Sequence, residues 1–103
     1  EFHKRKKLFV SLLSEVPGFK VNNPSGAFYV FPDISFYFGK SNGEHKINNA
    51  DDFSDYILYT AHVAVVSGEA FGDPDCIRLS YSLGEVDLKE AVRRIKEAVL
   101  KLN

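Results

Sequence analysis

Apolar side chains recur at helical spacing at both ends of the chain and in its middle, and alternate in strand fashion between these stretches. From Glu1 to Val16 the residues Phe2, Phe9, Leu12, Leu13 and Val16 mark one face of an amphipathic helix, and the basic run His3–Lys7 reads as its solvated side. Pro17 and Gly18 stop it. After a turn-rich connector, Phe19–Ser25, the segment Gly26–Pro32 (GAFYVFP) predicts a strand. Apolar on both faces, it reads as a central strand covered on two sides.

Asp33–Asn48 predicts a long loop with a small hairpin at Asn42-Gly43, anchored by Phe36, Tyr37 and Phe38. Asn49 is placed to cap a second helix that runs to His62 with Phe53, Tyr56, Ile57 and Thr60 on one face, and Asp52 three residues on gives weak reciprocal capping. His62 reads as a C-terminal cap group. Strands are expected at Val63–Val66 and Cys76–Tyr81 around a glycine-containing turn. The last helix carries Leu88, Val92, Ile95, Val99 and Leu102 as a continuous stripe. Its expected start has Asp87 as cap, Glu90 at the third helical position and Val86 stapled onto Ala91. Glu85–Lys89, Glu90–Arg94 and Glu97–Lys101 stand at helical pairing distance on its outer face. The element order predicts an α+β fold, a small mixed or antiparallel sheet packed against helices.

Composition narrows the function classes. With 103 residues, 45% hydrophobic and 26% charged, the chain is expected to form a single globular domain over residues 1–103. Thirteen basic and fourteen acidic side chains leave no field to draw a nucleic acid or an anionic membrane, and no apolar run is long enough for a membrane span. The single cysteine, Cys76, has no partner for an internal disulfide, which points to a reducing, cytoplasmic setting; with three scattered histidines it offers no metal-ligand spacing. The chain contains no methionine and opens inside a helix, so it is expected to be part of a longer polypeptide.

Candidate chemistry is sparse. There is no phosphate-binding loop, nucleophile elbow or carboxylate pair. The anomaly is Arg78, a charge in the middle of a strand. Period two sets Ile77, Leu79 and Tyr81 on one face and Cys76, Arg78 and Ser80 on the other. A guanidinium there either pairs with an internal acid, for which Glu69 and Asp75 are near in sequence, or presents its fork to a carboxylate or phosphate ligand. Spacing leaves both open. Gly26 likewise serves a turn or makes room for a ligand at the backbone.

GAFYVFP, VAVVSGEAFG and CIRLSY, followed by the amphipathic last helix, occur in the order found in one family. The chain resembles the C-terminal small domain of pyridoxal-phosphate-dependent aminotransferases of fold type I, aspartate aminotransferase-like, departing from the usual pattern at Ser67, where proline is common. The resemblance implies a complete chain of about 400 residues, several domains' worth. It implies that Arg78 grips the substrate α-carboxylate and that Phe28 and Gly26 line the substrate side of the cleft. It further implies ping-pong transfer of an amino group between an aspartate-like amino acid and a 2-oxo acid. Pyridoxal 5'-phosphate would be bound by the protein's own large domain, in a homodimer. The chain by itself is then expected to be inactive. The alternatives are a freestanding carboxylate-binding or regulatory module, and an interaction domain whose arginine is internally paired.

Overall fold

A computed structural model describes residues 2–21, 29–80 and 85–103. Three helices, α1 (Phe2–Ser14), α2 (Ala50–Ala61) and α3 (Glu85–Val99), bury their apolar faces together with one face of a small antiparallel sheet. The sheet comprises β1 (Tyr29–Val30), β2 (Val66–Ser67) and β3 (Ile77–Ser80) in the order β1-β3-β2. This is the expected α+β arrangement. All five positions of the predicted α3 stripe are buried, as are Phe53, Tyr56 and Ile57 of α2 and Phe9, Leu13 and Val16 from the first segment. On the sheet, Val30 pairs with Leu79 and all three of Val30, Leu79 and Ile77 are buried, so this face closes the core.

The central strand is β3, where the expectation had been the Gly26–Pro32 segment. Within that segment Val30 is buried, but Tyr29 on the opposite face is 37% exposed, so the apolarity of the second face does not mark a second covering layer. β2 begins at Val66, with Val63 and Val65 packing against the core from irregular backbone. His62, between α2 and that segment, takes up the left-handed conformation (φ 58°, ψ 36°), and its N–H donates to the Leu58 carbonyl as a C-terminal cap.

The N-terminus of α2 is held three ways. The Asn49 side chain accepts from the Asp52 N–H at 2.8 Å, Asp52 accepts from the Asn48 N–H at 3.0 Å, and the Glu69 carboxylate accepts from the Asp51 N–H at 3.3 Å. Asn49→Ala is expected to cost about 1 kcal/mol in urea unfolding of the chain, with Asn49→Asp near neutral. A cost indistinguishable from zero would mean that the other two contacts carry the cap.

α3 starts at Glu85, two residues before the expected cap, so Asp87 lies within the helix. Val86 is 80% exposed, which leaves no staple onto Ala91. Glu90 pairs with both Arg93 and Arg94, and these two guanidinium groups hold its carboxyl down to about 2. Glu97 pairs with Arg93 across one turn, where Lys101 had been expected as its partner.

The loop over residues 33–48 is tied at both ends. Lys20 bridges Asp33, and a 3-10 turn over Ser35–Tyr37 follows, in which Tyr37 is buried and stacks on Phe53 at 5.2 Å. Tyr37 also donates through its hydroxyl to the Pro17 carbonyl, whereas Phe36 points outward. Gly18 sits beneath both rings at φ 92°, where a Cβ would lie 2.4 Å from Phe36. The hairpin turn is present: Ser41 bridges Lys46, and the Asn42 side chain accepts from the N–H groups of Glu44 and His45. Ser41 and Asn103 exchange two backbone hydrogen bonds of 3.1 and 2.9 Å, joining this hairpin to the segment after α3.

Burial, with Asp73 next in weight, pushes the Cys76 thiol up to about 12, and burial raises the Tyr37 hydroxyl well above its usual value. Below about pH 9 the thiol is protonated in both states and its contribution to stability is fully present; between about 9 and 12 only the unfolded chain ionises. Stability should therefore fall above pH 9, by at most about 1.4 kcal/mol per pH unit for this group. Urea midpoints measured from pH 8 to 11 test this, Cys76→Ala flattening the profile.

Candidate functional site

Arg78 stands at the middle of β3, opposite Val66 of β2, on the sheet face turned away from the helices. Its neighbours Ile77 and Leu79 are buried, so alternation along the strand sets the guanidinium on the open face, as period two predicts. Cys76 does not share that exposure: it bridges Asp33 before the strand begins and is buried.

None of the ion pairs among the described residues involves Arg78. The two acids near it in sequence are turned elsewhere: Glu69 faces the N-terminus of α2, and Asp75 is exposed, its backbone carbonyl accepting from the Ile34 N–H at 2.9 Å. Among the described residues, Arg78 meets two aromatic rings. Its guanidinium carbon lies 4.4 Å from the centroid of the Tyr29 ring and 5.6 Å from that of Phe71. Phe71 is held in turn by an edge contact with Phe31 at 5.5 Å.

The elements that set this arrangement are short and tightly specified. Tyr29 pairs with Ser80 across β1 and β3, which makes it the diagonal neighbour of Arg78 on the same face, within reach of a ring and a long side chain. Phe71 closes a 3-10 turn, Gly68–Phe71, directly after β2. That turn is closed by hydrogen bonds from the Gly68 N–H to the Cys76 carbonyl (2.7 Å) and from the Asp73 N–H to the Gly68 carbonyl (2.8 Å). A Cβ on Gly68 would lie 1.9 Å from the Asp73 carbonyl oxygen, so only glycine lets the turn fold this closely over β3.

Of the predicted site residues, the structure thus places Arg78 in an open, aromatic-flanked position; Gly26 and Phe28 lie outside the described residues. Among the described residues Tyr29, Val66 and Phe71 stand beside it; they were not singled out from the sequence, because their proximity to Arg78 depends on strand register. Chemically the cluster is a fork of N–H donors with no acidic partner among the described residues, suited to a planar anion. No group of His, Cys, Asp and Glu among the described residues is arranged to hold a metal, and no described helix is long and apolar enough to cross a membrane. An open cleft of about 360 Å³ between His62–Ala64 and the start of α3 shares no lining residue with the Arg78 cluster.

Comparison with known proteins gives a consistent picture. The profile of the family described as aminotransferase class I and II matches residues 1–95. The chain is 42% identical over 102 residues to a bifunctional aspartate aminotransferase and glutamate/aspartate-prephenate aminotransferase of Petunia hybrida, covering 98% of this chain and 21% of the relative. It is 47% identical over 98 residues to a probable aspartate/prephenate aminotransferase of Aquifex aeolicus, covering 95% and 23%. The crystal structure of the aspartate aminotransferase from Rhizobium meliloti superposes with a TM-score of 0.94 at 40% identity, over 99% of this chain and 26% of that one. An aromatic aminotransferase from Pyrococcus horikoshii has the same fold, with a TM-score of 0.79 at 34% identity over 97% of this chain and 25% of that one. The chain thus spans about a quarter of the length of the relatives it matches.

Proposed function

The chain belongs to the class I and II aminotransferases, and from that premise we propose that it is the substrate-clamping small domain at the C-terminal end of an aminotransferase. The reaction proposed for the complete protein is transfer of an amino group between an aspartate-like amino acid and a 2-oxo acid. Arg78 holds the α-carboxylate of either substrate. The observation that carries this reading is an arginine on an open sheet face with no acidic partner among the described residues. A guanidinium in this state offers two parallel N–H donors to a carboxylate, fixing both the position and the orientation of the group attached to it. Both substrates carry that carboxylate, so one grip serves both halves of the reaction. Gly26 and Phe28 remain proposed as the wall of the same cleft.

Pyridoxal 5'-phosphate is the cofactor the family implies, and the described residues do not fit it. The cofactor needs a lysine within a partly dry site, whereas no described lysine is buried and none lies in the Arg78 cluster. We assign its binding to the part of the protein outside this chain, together with the chemistry it supplies. The complete protein is proposed to act as a homodimer in the cytoplasm; the relatives' family and the single, buried, unpaired Cys76 support this.

The test is direct. Full-length protein with pyridoxal 5'-phosphate should transfer the amino group of L-aspartate to a 2-oxo acid. The 103-residue chain alone, given the same cofactor, should show no stoichiometric Schiff-base absorbance band. A band of one equivalent on the isolated chain would overturn the assignment of cofactor binding to the remainder of the protein.

A further inference from the structure

We infer that Tyr29 and Phe71 are positioning residues for Arg78: their rings hold the plane of the guanidinium so that its N–H edge is presented to the carboxylate. This deepens the proposed role of Arg78 and rests on it. The guanidinium carbon sits 4.4 Å from the Tyr29 centroid and 5.6 Å from the Phe71 centroid, both within the range of a cation–π contact. An acidic neighbour would steady the arginine by occupying its donors. A ring steadies it from the face of the cation, where there are no N–H groups, and leaves the donors in the plane free.

The rings are not core residues. Tyr29 is 37% and Phe71 40% exposed, while the core closes beneath them through Val30, Ile77 and Leu79. They are nonetheless fixed: Tyr29 by its pairing with Ser80, Phe71 by the Gly68 turn and the edge of Phe31. Half-exposed aromatic side chains beside a cation that has no acidic partner among the described residues have little to contribute to folding, and much to contribute to its orientation. A long, flexible side chain otherwise loses rotamer freedom when it binds; one already held by rings loses less.

The experiment uses the full-length protein and four variants: Tyr29→Leu, Tyr29→Phe, Phe71→Leu and Arg78→Ala. The readouts are KM for L-aspartate and for the 2-oxo acid, kcat, the Kd of succinate as a carboxylate that cannot react, and the thermal midpoint. Tyr29→Leu should raise both KM values and the succinate Kd about tenfold, with kcat and the midpoint unchanged. Tyr29→Phe, which keeps the ring, should restore all of them. Phe71→Leu should shift the same quantities by a smaller factor, in keeping with the longer distance. A wild-type succinate Kd in Tyr29→Leu, with Arg78→Ala failing to bind, overturns the positioning role and leaves the carboxylate grip standing. Wild-type binding in Arg78→Ala overturns the grip itself. Should Tyr29→Leu lower the midpoint, Phe71→Leu decides: an unchanged Kd there overturns the inference.

Discussion

Arg78→Ala in the full-length protein is expected to lower kcat/KM for both substrates by roughly thirtyfold to several thousandfold, the equivalent of about 2 to 5 kcal/mol for losing one partner of a hydrogen-bonded charge pair. Arg78→Lys should recover only part of the loss, because an ammonium keeps the charge and gives up the fork. The accompanying measurement is stability. Among the described residues Arg78 has ring contacts and no acidic partner, so Arg78→Ala should unfold within about 1 kcal/mol of the parent. A structural arginine would give the opposite pair of results: normal kinetics and a large loss of stability.

The second large effect is expected in the core. Phe53 is fully buried on α2, stacks on Tyr37 at 5.2 Å and meets the edge of Phe19 at 6.1 Å. It therefore joins α2 to the anchored turn of the 33–48 loop and to the segment that follows α1. Phe53→Ala should cost about 3 to 5 kcal/mol, which in a domain of this size corresponds to a fall of roughly 12 to 30 °C in Tm. Phe53→Leu, which leaves a smaller void, should lose less than half of that. Urea unfolding of both variants checks the ordering, and an alanine variant within 1 kcal/mol of the parent would contradict the packing described.

What could be read from the chain alone follows the range of the forces concerned. The α3 stripe, the Asn49 cap, the His62 cap and the Asn42-Gly43 turn were legible because each is set within a few residues by periodicity or local hydrogen bonding. The outward direction of Arg78 was legible for the same reason. The position of β1 at the edge was not, because two apolar faces read as two covered faces, and here one of them belongs to an aromatic side chain lying beside a cation. α3 begins at Glu85, ahead of the Leu88 start that a cap at Asp87 predicts, because Asp87 with Glu90 makes a capping pattern that the helix runs through. Tyr29 and Phe71 were out of reach: they come from separate elements, and only the register Tyr29↔Ser80 and the Gly68 turn bring them to Arg78. The identity of Arg78 as a ligand group was legible only through family resemblance, since spacing alone left Glu69 and Asp75 as partners.

The exchange of hydrogen bonds between Ser41 and Asn103 spans more than half of the chain. Closing so long a loop costs entropy that no local contact repays, so this pairing is expected to form late in folding. The amides of Ser41 and Asn103 would accordingly be among the last to gain protection in a pulse-labelled refolding experiment. They act as a clock for completion: while they still exchange freely, the hairpin and the end of α3 have yet to meet.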